Sequence, residues 1–353
     1  MNVQMMFILL SSLMLGTTIT CASSHWLYAW LGLEMNTLAM LPLIVRSQHP
    51  RAVEATVKYF ITQITASAMI MMAVLTHVVL SGQWDMKDPH LTVSPVIILL
   101  ALAMKVGIPP MHAWLPEVMQ ASDYKTAMLV MTWQKIAPVA LMMQNRATPD
   151  NMYTALAMLS VLSAGWAGLN QTHLRKVLAY SSITHLGWTI VILRHSEYLA
   201  LMNLYVYFIP TIPLLFIFML MKSDRMGKVG ISRHYGPIMT ALSPLLLLAL
   251  AGLPPFPIFY MKLYIIGEMI YQDIGVTATL IALASLLGLY FYARLAYTMS
   301  LTSWPNLSTA MANWRLRTKK VTIVLAVTAA AAILMLPLLP TQISFMMWYW
   351  SMR

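Results

Sequence analysis

Charge is scarce in this chain. Asp, Glu, Lys and Arg make up 9% of its 353 residues, against about 25% in a soluble domain. No hydrophilic stretch is long enough to fold as a soluble domain. A single cysteine, Cys21, excludes a disulfide framework and a Cys-ligated iron–sulfur cluster. There is no glycine-rich phosphate loop and no dinucleotide fingerprint. These absences predict a chain without a cofactor or metal of its own. The start lacks both a basic n-region and an Arg/Ser-rich transit segment, and runs straight into apolar residues from Val3 to Ile19. A cleaved signal or an imported precursor is therefore disfavoured.

What is abundant is hydrophobicity, at 59% of residues. Apolar runs repeatedly reach roughly 20 residues, enough to cross a hydrocarbon core of about 30 Å. The pattern predicts an all-α, polytopic membrane protein with about eleven transmembrane helices: 3–22, 25–45, 52–80, 93–121, 124–144, 151–170, 174–194, 197–221, 237–270, 275–300 and 320–340. The formal net charge of +11 is scattered through the short loops between these runs. It reads as membrane orientation and not as nucleic-acid binding. Even-numbered loops hold Arg46, Arg51, Lys125, Arg175, Lys176, Lys222, Arg225, Lys228, Arg233, Arg315, Arg317, Lys319 and Lys320. The odd loops and the C-terminus hold only Lys87, Arg146, Arg194 and Arg353. This bias predicts an N-terminus on the positive-inside face and, after eleven spans, a C-terminus on the other.

Spans four and nine are interrupted in the same way. One reads Lys105-Val106-Gly107-Ile108-Pro109-Pro110; the other reads Gly252-Leu253-Pro254-Pro255-Phe256-Pro257, with Lys262 just beyond. A proline pair removes amide donors and clashes with carbonyls one turn back. In a membrane the freed groups must be satisfied by protein or by water in a cavity. Each break falls in the fourth member of a group of five spans, and an odd number of spans flips the second group. The expected architecture is two inverted five-helix repeats, 1–145 and 146–300, each with a broken fourth helix. A basic loop and a C-terminal transmembrane helix over 301–353 complete the chain. Broken helices in matching positions point to an ion or substrate pathway.

Ionisable residues inside the spans sharpen that pointer. Glu34, Lys105, Lys135, Lys262 and His185 lie well within spans two, four, five, nine and seven, and Lys58 lies two turns into span three. Each charge at mid-bilayer costs about 2.5–3.5 kcal/mol even on the lenient insertion scale, so these groups need partners or water inside the bundle. One lysine can simply pair with Glu34 and tie two helices together. The three mid-span lysines outnumber that one carboxylate, which favours a proton or ion pathway for the set. Lys58 is open to a second reading, as a snorkelling side chain. His185 is equally open to one, as a hydrogen-bonded interior histidine.

Several segments resemble the chain 2 family of mitochondrial NADH–ubiquinone oxidoreductase, respiratory complex I. They are Ser24-His25-Trp26 through Gly32-Leu33-Glu34-Met35-Asn36, Glu54 through Gln63, and Met104-Lys105-Val106-Gly107. Trp114-Leu115-Pro116-Glu117-Val118, Thr132 through Pro138, and Gly168 through Ile183 carry the same likeness. The resemblance implies an antiporter-like, proton-translocating subunit of the membrane arm with no redox centre. It implies a Glu34, Lys105, Lys135 and Lys262 relay driven by electron transfer elsewhere in the complex. It further implies the mitochondrial inner membrane, with the N-terminus in the matrix and the C-terminus in the intermembrane space. Expected partners are neighbouring antiporter-like and small core membrane subunits, and phospholipids, among them cardiolipin at the basic loops. A freestanding cation/proton antiporter of related fold is the alternative, and a structural spacer with statically paired lysines is a third reading.

Overall fold

The computed structural model describes residues 3–47, 49–86, 93–145, 147–231, 237–302, 323–334 and 344. Among them the regular structure is helical, with two isolated β-bridges. The chain divides into two compact units, Met1–Ser160 and Val161–Arg353.

The first unit contains α1 (Val3–Ala22), α2 (Trp26–Ile44), a short 3-10 turn, α3 (Pro50–Ser81), α4 (Val93–Val106), α5 (Trp114–Ala121), α6 (Tyr124–Met131), α7 (Trp133–Gln144) and the start of α8 (Asp150–Gly168). The remainder of α8 leads the second unit into α9 (Leu174–Leu193), α10 (Glu197–Met221), α11 (Met226–Ile231), α12 (Pro237–Ala251), α13 (Pro257–Tyr271), α14 (Gly275–Thr302) and α15 (Ile323–Leu334).

The predicted spans match these helices to within a few residues. Seven helices among the described residues are long and apolar enough to cross a membrane, and Pro95–Val106 and Met239–Ala251 are shorter apolar helices. The fourth and ninth spans are broken where the proline pairs predict. The fifth, Tyr124–Gln144, is one of the seven and carries a local irregularity where α6 and α7 meet at Thr132, whose backbone (φ −115°, ψ −71°) departs from ideal helix. Pro138 lies inside α7 and leaves the Gln134 carbonyl without its helical donor, two residues past that irregularity. Lys87, Arg146, Arg233, the run from Arg315 to Lys320, Arg353 and most of the predicted 301–353 segment lie outside the described residues.

Local chemistry sets the helix ends. His49 Nδ1 accepts from the Arg51 N–H at 3.2 Å, Pro50 takes the first helical position, and Gly82 closes α3 in the left-handed region. His25 Nδ1 caps α2 by accepting from Leu27, and the Ser196 hydroxyl caps α10 by accepting from Leu199.

Each unit repeats one loop device. Ahead of α2, residues 24–26 pair antiparallel with 84–86 beyond α3, through Trp26 N–H to Trp84 O and Met86 N–H to Ser24 O. Ahead of α9, residues 172–174 pair with 224–226 beyond α10, through Leu174 N–H to Asp224 O and Met226 N–H to Thr172 O. A histidine centres each bridge, His25 and His173. Asp224 also accepts from Arg175 at 2.9 Å. Burial, with Arg225, Lys176 and Arg175 nearby, holds the His173 imidazole below its ordinary range.

In the second unit the core is α9, which is buried along almost its whole length. In the first unit α1 and α2 pack closest. A Cβ added at Gly32 would stand 2.6 Å from Thr20 Cγ2 and 2.7 Å from the Gly16 carbonyl, and one at Gly16 would stand 2.8 Å from the Gly32 carbonyl. Backbone cannot retreat as a flexible side chain can. Gly32→Val is therefore expected to cost about 1–3 kcal/mol by overpacking, read as a lower melting temperature of the assembled protein. Gly267→Ala is the control, because nothing lies within 4 Å of the Cβ it adds.

Candidate functional site

The first break is a problem of open carbonyls. In an unbroken helix the carbonyl of Lys105 would accept from residue 109 and that of Val106 from residue 110, but Pro109 and Pro110 have no N–H. The chain leaves α4 through Gly107 at φ +86°, a region that glycine enters without a Cβ penalty. Ala103 O accepts from Gly107 at 3.0 Å and from Ile108 at 2.9 Å. Met104 O accepts from the Trp114 indole at 3.0 Å. Lys105 O accepts from the Gln63 side-chain amide of α3 at 3.3 Å.

Lys105 projects from this helix end into the unit. Its ammonium, 2% exposed, faces Glu34 Oε1 of α2 at 3.9 Å. That is an ion pair just beyond direct hydrogen-bond distance. Thr37 steadies the carboxylate by donating to Glu34 Oε2 at 3.1 Å. Tyr59 of α3 is buried within electrostatic reach of Glu34 and meets the Trp114 ring edge-on at 5.6 Å. Lys135 is buried on α7, which packs against α1, α2, α4 and α6. The neighbouring Gln134 amide donates to Asn36 O at 3.4 Å and so ties α7 to the helix that carries Glu34.

Lys58 does not join that pair. Its ammonium lies 2.7 Å from Glu54 and 2.6 Å from Glu117, with the three side chains 43%, 64% and 47% exposed. It clamps α3 to α5, the far half of the broken helix. Exposed pairs of this kind are screened by water and add little stability, so the clamp sets register more than stability.

The second break solves the same problem with a charge. Pro254 and Pro255 leave the carbonyls of Leu250 and Ala251 without their helical donors. Gly252 turns the chain at φ +78°. The Lys262 ammonium reaches back from the second turn of α13 and donates to Ala251 O at 3.5 Å. It also lies 5.7 Å from the centre of the Trp188 ring of α9, within cation–π range. A cation at a helix C-terminus meets the negative end of the helix dipole.

His185 sits one turn before Trp188 on α9. Its ring stacks on Tyr207 at 4.9 Å, and Nε2 is 3.5 Å from the Tyr292 hydroxyl. Ser181 and Ser182 face the hydroxyls of Tyr292 and Tyr207. The second unit therefore brings together α9, α10 and α14 around a buried imidazole–phenol cluster. Among the described residues, no three His, Cys, Asp or Glu side chains gather as a metal-ligand set.

Gln63, Tyr59, Trp114, Trp188, Tyr207 and Tyr292 were not singled out from the sequence. The readable cue was the need and not the residue: a Gly-x-Pro-Pro break orphans carbonyls that some side chain must fill.

Comparison with known proteins agrees with this layout. Residues 23–288 match the NADH:quinone oxidoreductase/Mrp antiporter transmembrane family, and residues 289–343 match the NADH dehydrogenase subunit 2 C-terminus. NADH-ubiquinone oxidoreductase chain 2 of Tetraodon nigroviridis is 48% identical over 94% of this chain and 95% of the relative. That of Salmo salar is 46% identical over 96% and 98%. In fold, a chain of respiratory complex I from Thermus thermophilus superposes with a TM-score of 0.79 at 21% identity, covering 94% of this chain and 77% of that one. A chain of the Mrp complex from Dietzia sp. gives a TM-score of 0.75 at 16% identity, covering 81% and 59%. A multi-pass helical chain with this length of match belongs to the NADH-ubiquinone oxidoreductase chain 2 family, antiporter-like in its membrane fold.

Proposed function

We propose that this chain is a proton-translocating subunit of the membrane arm of respiratory complex I, in the mitochondrial inner membrane. Electron transfer from NADH to ubiquinone takes place on other subunits, and no redox centre is needed here. Each unit acts as a half-channel, with the N-terminus in the matrix and the C-terminus in the intermembrane space. Other membrane-arm subunits flank the chain, and phospholipids, cardiolipin among them, cover its basic loops.

One observation supports this reading above the rest: a buried lysine and a part-buried glutamate face each other beside a broken helix. At 3.9 Å and an effective dielectric of about 20, their attraction is about 4 kcal/mol. Adding or removing one proton switches most of that energy. Such a pair can pass its state along the membrane plane to Lys135 on the adjoining α7. Lys262, with His185 on the neighbouring α9, is the corresponding device in the second unit. Lys58 contributes at the rim, through the carboxylates of Glu54 and Glu117. The full-length match to chain 2 relatives favours this assembly over a freestanding cation/proton antiporter.

Lys135→Met tests the relay. The variant complex is expected to assemble, to oxidise NADH slowly, and to pump more than about ten-fold fewer protons per second, the loss of one essential charge carrier. Wild-type proton stoichiometry in a fully assembled Lys135→Met complex would refute the relay.

A further inference from the structure

Lys105 can face Glu34 only while the peptide that carries it stays in place. That peptide ends a helix whose next turn is missing, and its carbonyl has lost the donor that Pro109 cannot supply. The Gln63 amide fills the gap at 3.3 Å, from a side chain that is 4% exposed. Tyr59, one turn earlier on the same face of α3, braces Trp114, and Trp114 in turn caps Met104 O. A single helix thus holds both sides of the break. We propose that Gln63 is a positioning residue for Lys105: its side-chain amide closes the carbonyl that Pro109 orphans, and so fixes the peptide from which the Lys105 ammonium faces Glu34.

Gln63 carries no proton itself, because an amide does not titrate. The second unit shows that the role is particular to the first break. Counted back from the bridge residue beyond its helix, Asn203 on α10 occupies the place of Gln63 on α3, as 225 stands to 85. Asn203 instead donates to His185 O at 3.5 Å, while Lys262 itself takes the open carbonyl of its break. A neutral side-chain cap is needed only where the lysine points away from its own helix end.

The inference rests on the reading of Lys105 as a proton carrier, and the test separates the two. Three variants are compared in the intact complex: Gln63→Met, similar in length but without a donor; Gln63→His, which keeps a ring N–H; and Lys105→Met. The charged group that faces Lys105 is Glu34 from α2; Tyr59 of α3 lies within electrostatic reach of Glu34, and α7, packed against α4, carries Lys135. Gln63→Met is expected to lower proton-coupled turnover about five-fold, the effect of one lost hydrogen bond. Its KM for ubiquinone stays unchanged, and its pH–rate profile moves off the wild-type curve. Gln63→His is expected to recover most of the rate and the wild-type profile. If Gln63→Met fails to assemble, restoration of both assembly and profile by Gln63→His supports the proposal, and a Gln63→His complex as defective as Gln63→Met overturns it. A Gln63→Met complex with wild-type turnover and profile also overturns it, and leaves Lys105 as carrier if Lys105→Met is inactive. Normal pumping by Lys105→Met would instead remove the carrier reading itself.

Discussion

Glu34→Gln is expected to do more harm to the assembled protein than Glu34→Gln and Lys105→Met together. The single change leaves the Lys105 ammonium, 2% exposed, without its counter-charge. Removing one partner of a buried pair costs about 3–5 kcal/mol, whereas replacing both by uncharged groups of similar size is close to neutral. Lys105 is buried, as are Leu102 and Ile108 along the same chain, and a methionine is similar to the lysine stem in length and apolar. The melting temperature and the yield of intact complex should therefore order as wild type, double variant, single variant. Proton pumping should be lost in both variants. The two rankings decide between relay and static pairing. A purely static pair predicts that the double variant recovers turnover along with stability, and that result would remove the pair from the mechanism. Equal stability of single and double variants would mean that the two groups do not interact.

Gly252→Val should disable the second unit. The position holds φ +78°, a conformation that costs an L-residue about 1–2 kcal/mol and suits a β-branched one worst. The space is also taken: an added Cβ lies 3.1 Å from Lys262 Nζ and 3.5 Å from Ile258 Cγ2. Valine adds two further carbons on that side, so the ammonium must leave Ala251 O or the turn must open. Turnover is expected to fall more than about ten-fold, the effect of about 1.4 kcal/mol or more at the rate-limiting barrier. Gly107→Ala is the informative comparison. Its Cβ meets Leu115 and Trp114 at 3.2–3.3 Å and touches no lysine. It should lower stability through the Trp114 cap, with a smaller effect on rate. If Gly252→Val kept wild-type turnover, the contact between Lys262 and the helix end would be irrelevant to function.

Much of the fold is legible in the residues because a bilayer imposes simple rules. Span length follows from thickness, and Pro109-Pro110 and Pro254-Pro255 mark breaks by removing donors. The break between α6 and α7 was harder to see. Pro138 signals a lost bond at the Gln134 carbonyl, but the irregularity lies at Thr132, six residues earlier, with no proline to mark it. The Glu34–Lys105 pairing was visible as a need for neutralisation. Its geometry was not, because it depends on how α2 sits against α4. Lys58 shows the opposite limit. Two turns into a span it was open to two readings, an interior charge and a snorkelling side chain, and the side chain is 43% exposed with Glu117 of α5 beside it. His185 was recognised as interior, while its stacking on Tyr207 and its approach to Tyr292 come from helices far away in sequence. Gln63 was the least visible, since nothing in a run of helical polar and apolar residues says which amide will meet an orphaned carbonyl.

The unlike fastenings of the two breaks bear on how stiff each half is during turnover. In the first unit a glutamine and a tryptophan hold the helix end, and neither changes with proton traffic. In the second, one ammonium is the latch, and on the proposed relay it is the proton carrier as well. When it surrenders its proton, the amine that remains can still bond Ala251, but without the charge that the helix end attracts. If the relay runs as proposed, the first joint stays shut through the cycle, and the second slackens each time it is emptied.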